Sequence, residues 1–386
     1  MAKVLLVDTN FSAVPIYQAL CELGHDVHVV GGYPEDCLAK SVSNYWNIDY
    51  SDTVALADLV EKEAFNFIVP GCTDRSYASC VAVSDGRSQG RFPGLDTLHA
   101  EDTINNKANF RVIGKQLGLS MPQVQELAAG VLRLPLIVKP VDAFSGKGIT
   151  VIQSQDIDAL SDAIQTACTA SRQGKYLLED FVAGQLHSHS AFICNEKIIH
   201  DFVVQEDGTV NPFVVDTSRV IFGLSDDVLQ TLRASVEALA SALHLSDGLL
   251  HTQFILENDC IWLIEMTRRC PGDLYSQLIE LSTGFPYAKY YVLPFLDVKL
   301  NKDVQLETSI PIMRHTLTVD LDSIFGFIHF NQQITIERWI ALSLVGDQLK
   351  PSPASRVGIV FAKAKDDADL EFLYQKTLRR ELYKIN

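Results

Sequence analysis

An α/β fold is predicted, with a Rossmann-like parallel-sheet domain first, a central region of strands and loops, and a small α+β end. Three patterns predict it. Over residues 3–69, short β-branched runs alternate with amphipathic stretches, the order of a parallel sheet with helices on its faces. Between 134 and 264, apolar strand-like runs are separated by small-residue loops or polar turns. Beyond 311, short strands give way to a charge-rich segment with helical spacing at Leu370, Leu373, Tyr374 and Leu378. The boundaries that follow are 1–100, 101–296 and 297–386.

The formal charge of -16 argues against a broad nucleic-acid footprint, because no basic stripe is available to displace counterions. No window approaches the roughly 18 uninterrupted apolar residues of a membrane span. Met1-Ala2-Lys3 leads straight into a strand, without the apolar region of a secretory leader. The 8 cysteines are scattered with no CxxC pair, which suits reduced thiols in a cytoplasmic protein better than a zinc site or disulfide framework.

Taken in order, the first strand is 4–7, followed by a helix over 13–23 that Gly24 closes, and a strand over 27–30. A helix over 55–63 and a strand over 67–69 complete the alternation. No GxGxxG follows the first strand, so a tight pyrophosphate turn is not predicted there. Pro70-Gly71-Cys72-Thr73-Asp74-Arg75 stands at a strand end, where open α/β sheets keep their ligand crevice. Asp74 and Arg75 are therefore candidate substrate contacts.

A helix from Asn106 to about 117 opens with Lys107, a cation at the end of the helix that favours acids. The apolar run Leu136-Ile137-Val138 ends in Lys139, and a lysine in such a strand is costly unless paired. The loop Ser145-Gly146-Lys147-Gly148 and a returning strand follow, a hairpin whose exposed N–H groups can close over phosphates. Leu177-Leu178-Glu179-Asp180-Phe181-Val182 is a further strand and turn, where main-chain groups and Glu179 can meet an adenine edge. His187 and His189 share a strand face, and either a structural pair or a base for an incoming amine fits that spacing. Arg219 is a candidate grip on a substrate carboxylate.

Two apolar runs, Phe254-Ile255-Leu256 and Ile261-Trp262-Leu263-Ile264, flank the turn-prone Glu257-Asn258-Asp259-Cys260 and predict a β-hairpin. Glu265 and Thr267 share a face, as do Ile261 and Leu263 before them. With a loop of odd length, 258–260, Gln253 lies opposite Glu265. Hard oxygen ligands beside Arg268 and Arg269 suit Mg²⁺ and transferring phosphate.

The ordered set Lys107, Lys139, glycine loop, Glu179-x-x-Val182-x-Gly184, His251-x-Gln253 and Glu265-x-Thr267-x-Arg269 resembles the ATP-grasp superfamily over roughly residues 1 to 295. It is most similar to the carboxylate–amine ligases, including the L-amino-acid ligases, through Arg269-Cys270-Pro271-Gly272-Asp273 and Leu278-Ile279-Glu280-Leu281-Ser282-Thr283-Gly284. The resemblance implies a pre-ATP-grasp domain over 1–100 and an ATP-grasp domain over 101–296 with a lid at about 123–184. It further implies that Lys107 and Lys139 hold ATP phosphates, that Ser145, Gly146, Lys147 and Gly148 cover them, and that Glu179, Phe181, Val182 and His187 lie toward the nucleotide. Gln253, Glu265 and Thr267 stand at the positions for Mg²⁺, or Mn²⁺ in its place. Gln253 and Thr267 depart from the usual acid and asparagine, although the carbamoyl phosphate synthetase arm is similar in using glutamine. Arg269, helped by Arg268, faces the γ-phosphate and reacting carbonyl, and Gly272 lies at the substrate.

The implied reaction is phosphoryl transfer from ATP to a small-molecule carboxylate, then attack by an amine on the acyl phosphate, giving an amide, ADP and phosphate. Alternatives are a bicarbonate-using carboxylase or carbamoyl-phosphate-type enzyme, and a non-catalytic nucleotide-binding protein. Neither nucleic acid nor membrane is an expected partner, and a homodimer is compatible with the sequence.

Overall fold

The computed structural model describes all residues except 128, 129, 144, 145, 305, 307 and 308. The N-terminal sheet is parallel, in the order Tyr45–Asn47, Asp26–Gly31, Lys3–Val7, Phe67–Pro70. Val4, Leu5, Leu6 and Val7 are fully buried, as a parallel strand covered on both faces requires. Helix Asp74–Asp85 starts where the strand Phe67–Pro70 ends, with Thr73 as its N-cap accepting from the Ser76 N–H. Asp74 thus enters at a helix N-terminus, where the backbone dipole favours a carboxylate.

A second sheet is antiparallel, in the order Cys260–Thr267, Gly248–Glu257, Gln185–Cys194, Lys197–Asp207, Thr217–Ile221, Ile312–Leu317, Gly358–Lys363, Thr335–Ala341. Helix Asp226–Ala242 lays Leu232, Val236 and Leu239 against one face, on Leu250, Phe254, Leu263 and Met266. Helices Tyr275–Thr283 and Tyr287–Val292 join the other face to the N-terminal sheet in one apolar cluster. The strands after residue 311 extend this same sheet, with Thr217 opposite His315. Helix Asp367–Leu378 packs Leu370, Leu373 and Tyr374 on Met313 behind them.

A third sheet has the order Thr150–Ile152, Leu136–Pro140, Tyr176–Asp180, backed by Ala163 and Ala167 of helix Ile157–Ala170. Among the described residues no helix is long and apolar enough to cross a membrane.

The hairpin between Gly248–Glu257 and Cys260–Thr267 corrects one expectation. Glu257 pairs with Cys260, so the turn is Asn258-Asp259 alone, at φ of 49° and 61°, the two-residue geometry that suits twisted strands. Such an even turn by itself would set Gln253 opposite Ile264. A bulge at Ile264 adds one residue, and Gln253 lies opposite Glu265 after all. The bulge also flips the side-chain alternation. Ile261, Leu263 and Met266 enter the core under the long helix, while Glu265 and Thr267 point to the other face.

Candidate functional site

The end of this hairpin meets the first residue of helix Lys107–Gln116, whose N-cap Asn106 accepts from the N–H groups of Ala108 and Asn109. Lys107 Nζ lies 3.2 Å from Glu265 Oε2 and donates to the Ala143 carbonyl at 3.0 Å, at the entry to the glycine loop. Burial pushes the Glu265 carboxyl up, but the Lys107 ammonium with help from Lys139 makes the net shift downward, so the acid stays ionised.

Lys139 Nζ lies 2.5 Å from Glu179 Oε2, and Arg111 grips the same carboxylate through Nε on Oε1 and through Nη2 on Oε2 at 3.4 Å. All three side chains are buried. Glu179, expected from the sequence to face adenine or ribose, has both of its oxygens in contact with cations in this structure. Burial drives the Lys139 ammonium down to about 8, against the pull of Glu179 and with added repulsion from Arg111. Arg111 was not foreseen. Its signal was its place four residues after Lys107, on the same helix face.

Gly146 and Gly148 sit at φ of 70° and 72°, a region that L side chains rarely adopt. A Cβ on Gly146 would come within 2.6 Å of the Phe213 carbonyl, and one on Gly148 within 2.6 Å of the Ala170 methyl. Lys147 between them is exposed, and Ser145 lies outside the described residues. Phe181, half-buried, donates its N–H to the Pro135 carbonyl at 3.0 Å, and Val182 is buried beside it.

Arg269 and Thr267 meet the N-terminal domain. Arg269 donates through Nε and Nη2 to the two oxygens of Asp74, each at 3.0 Å, and Thr267 donates its hydroxyl to Asp74 Oδ1 at 2.8 Å. Burial raises the Asp74 carboxyl, but Arg269, Thr267 and Lys107 together lower it more, and the net shift is downward. Gly272 accepts from Ser12 Oγ, and a Cβ there would approach the Cys72 carbonyl at 3.1 Å, so the loop after Arg269 lies close against the first domain.

Four candidates lie elsewhere. Arg268 is buried, with Nε on Asp96 Oδ2 at 2.8 Å and Nη1 on the Leu249 carbonyl at 2.6 Å; it ties the strand Gly248–Glu257 to the loop before helix Leu98–Asn105 and does not reach the site. Arg75 is exposed and lies over the Tyr50 ring. Arg219 is committed to Gln205 at 3.1 Å and Glu371 at 2.6 Å, and stacks over Tyr374 of the C-terminal helix. His187 stacks on Phe254, on the sheet face opposite Gln253, with Nδ1 3.1 Å from the Gln185 carbonyl. Its neighbour His189 pairs with Asp201 at 2.9 Å, also away from the hairpin end.

A buried polar group beside Gln253 was not foreseen either. Gln253 Nε2 donates to Glu206 Oε2 at 2.7 Å. Arg314 reaches the Asp273 carbonyl at 2.7 Å, the Asp273 carboxylate at 3.1 Å and Ser218 Oγ at 2.9 Å. Burial, with repulsion from Asp273, pushes the Glu206 carboxyl up to about 7. Neither Glu206 nor Arg314 stands in a motif; only pairing between distant strands brings them here.

Among the described residues no group of three or more His, Cys, Asp or Glu side chains forms a cation cage. One carboxylate and one amide oxygen, from Glu265 and its cross-strand partner Gln253, are nevertheless the hard donor set that Mg²⁺ completes with phosphates and water. Those two residues fit such an ion. Thr267 fits it less well, because its hydroxyl proton is given to Asp74.

No protein-family profile matches the chain. The carbamoyl phosphate synthase large chain of Haemophilus ducreyi is 25% identical over 203 residues, covering 50% of this chain and 18% of that protein. The phosphoribosylamine–glycine ligase of Pyrococcus furiosus is 24% identical over 294 residues, covering 70% of this chain and 66% of that protein. The formate-dependent phosphoribosylglycinamide formyltransferase of Paraburkholderia xenovorans is 29% identical over 191 residues, 47% of this chain and 46% of that one. The chain thus spans between 18% and 66% of the length of these curated relatives. Among solved structures, an L-amino acid ligase from Bacillus licheniformis superposes with a TM-score of 0.79 at 18% identity, over 100% of this chain and 98% of that one. A phosphoribosylglycinamide synthetase from Anaerococcus prevotii gives 0.76 at 16% identity, over 100% and 99%. A parallel sheet, a small three-stranded sheet and a large antiparallel sheet converge on Lys107, Lys139 and Glu265, and together with these likenesses they show the ATP-grasp fold.

Proposed function

We propose that the protein is an ADP-forming carboxylate–amine ligase that makes an amide through an acyl phosphate. The observation that carries this reading is the position of Lys107, which touches both Glu265 and the carbonyl at the entry to the glycine loop. Loop, cation and candidate metal acid are therefore one unit, and closing the loop brings phosphate to all of them.

In this reading Lys107 and Lys139 neutralise the ATP phosphates beneath Gly146, Lys147 and Gly148, and the segment of Phe181 and Val182 lies along the base. Gln253 and Glu265 would hold Mg²⁺, or Mn²⁺, which when bound neutralises charge on the phosphoryl oxygens. The substrate carboxylate attacks the γ-phosphorus, ADP leaves, and the amine then displaces phosphate from the acyl carbon. The residues mainly position charge for an in-line transfer. Arg269, held by Asp74, faces the tetrahedral oxyanion, a contact worth about 2.7–4 kcal/mol per donor. Asp74 and Gly272 border the pocket for small-molecule acid and amine. All 8 cysteines are free, which supports a reducing, cytoplasmic setting.

The test is ADP release from ATP, screened over pairs of small carboxylic acids and amines. Release should need both partners, and Glu265→Gln should abolish it while far-UV dichroism and Tm stay near those of the parent. Tight ATP binding without turnover for any pair would overturn the ligase reading. Turnover that needs bicarbonate in place of an organic acid would turn it into a carboxylase.

A further inference from the structure

Gln253 is a neutral side chain with three rotors, standing where a cation needs an oriented oxygen. What fixes it lies on the neighbouring strand pair. Gln253 is opposite Ser188 on the strand Gln185–Cys194, and Ser188 in turn is opposite Val204 on the strand Lys197–Asp207. The Gln253 side chain reaches across this middle strand to Glu206, two residues beyond Val204. The small Ser188 side chain leaves room for that reach, and its hydroxyl lies 2.9 Å from the Tyr275 hydroxyl and beside the Glu206 carboxyl.

The chemistry of the contact sets the direction of the amide. Gln253 presents its NH₂ group to Glu206 Oε2 at 2.7 Å, and the ionised form of that carboxyl, which only accepts, holds it in this direction. The carbonyl oxygen Oε1 then points away from Glu206. Among the described residues no protein donor reaches it. Gln253 is the direct cross-strand partner of Glu265, so the two oxygens lie on one face of the hairpin. Donation to an anion also draws electron density toward the amide oxygen, which strengthens it as a ligand for a hard cation.

We propose that Glu206 is a positioning residue, which orients and polarises the Gln253 amide so that its carbonyl oxygen joins Glu265 as the second protein ligand for the divalent ion. With Glu206 ionised, the pair carries one negative charge and one directed oxygen, divided between two strands. This inference rests on the ligase reading only in needing a divalent ion beside a nucleotide.

The test reads metal binding without turnover. Mn²⁺ is titrated into the full-length protein with ADP, and free Mn²⁺ is followed by electron paramagnetic resonance. Glu206→Ala should weaken Mn²⁺ about 10- to 100-fold, the usual cost of losing such a supporting group. Gln253→Glu alone sets two carboxylates back to back and should also weaken it. The exchanged pair Glu206→Gln with Gln253→Glu restores one charge and one hydrogen bond, and should return the affinity to within about threefold of the parent. Dichroism and Tm are recorded for each variant, and the exchanged pair keeps the proposal open to refutation if Glu206→Ala does not fold. Unchanged Mn²⁺ affinity in Glu206→Ala, or an exchanged pair no better than its weaker single variant, overturns the positioning role. A parent protein that binds no Mn²⁺ with ADP removes the metal site itself, and with it the ligase reading.

Discussion

Arg268 and Arg269 are neighbours in sequence just past the strand end at Thr267, yet they have different partners and different tasks. Arg268 neutralises the buried Asp96, which also accepts from Tyr77 at 2.6 Å. Arg268→Met should therefore cost about 3–5 kcal/mol, because one buried charge is left unpaired. The fraction that stays folded should turn over normally, which a denaturation curve paired with active-site titration would check. Arg269→Lys keeps the charge but loses the two-point grip on Asp74. There kcat should fall about 10²–10³-fold with a far smaller change in Tm. Lys139 gives a pH signature. Its ammonium is charged below about 8 and neutral above, whereas the unfolded chain keeps the proton up to the ordinary lysine value of 10.5. In that window the unfolded state binds more protons, so this group adds stability as pH rises, while the charge that faces phosphate is lost. kcat/KM for ATP should accordingly fall as pH rises through about 8, and Lys139→Arg, always charged, should lack that alkaline limb. Lys139 was legible as a cation in an apolar strand that needed a partner. That its resting partner is Glu179, shared with Arg111, was not, because the pairing joins a helix to a strand 68 residues away.

At the scale of elements, the hairpin shows where a sequence pattern is sufficient and where it stops. Both strands and the turn could be read from two apolar runs around Glu257-Asn258-Asp259-Cys260. The bulge at Ile264 could not, because an extra residue in one strand leaves no mark in composition and reverses the alternation on which face assignment rests. Two compensating departures, a shorter turn and a bulge, gave the same Gln253–Glu265 register. Helix Asp226–Ala242 carried ordinary signals, the Ser225 cap and two acids in its first turn, but no chemistry drew attention to it. The turn itself invites a test. Asp259 holds a φ of 61°, where glycine pays little and other L residues pay about 1–2 kcal/mol, Asp near the low end. Asp259→Gly should raise stability by up to about 1 kcal/mol with ADP formation unchanged, measured as a shift in urea midpoint at constant slope. Gly148→Ala should do the reverse at the loop, since the added methyl meets Ala170 at 2.6 Å in a left-handed conformation. KM for ATP should rise while the global Tm moves little.

For the whole molecule, the decisive contacts are the most remote in sequence. Thr217 bonds to His315, 98 residues on, and through that pairing the last strands extend the sheet that carries Gln253 and Glu265. Short strands and a charged helix beyond 311 were legible in the pattern. Their attachment was not, because strand pairing at this separation is set by the closed core rather than by local propensity. The segment also supplies polar partners inside: Arg314 holds Ser218 and the Asp273 carbonyl, and Tyr374 donates to Asp207 at 2.7 Å. Deleting residues 301–386 would expose the strand Thr217–Ile221 as an unprotected edge and leave Ser218 and Asp207 without these donors. Such a chain should lose the cooperative heat-absorption peak of the parent and bind a hydrophobic dye, even though every residue proposed to touch ATP is still present. If it melted sharply and bound ATP with parental affinity, the sheet would be dispensable beyond Thr217–Ile221, and the polar group around Arg314 would have no part in holding Glu206 and Gln253 in place.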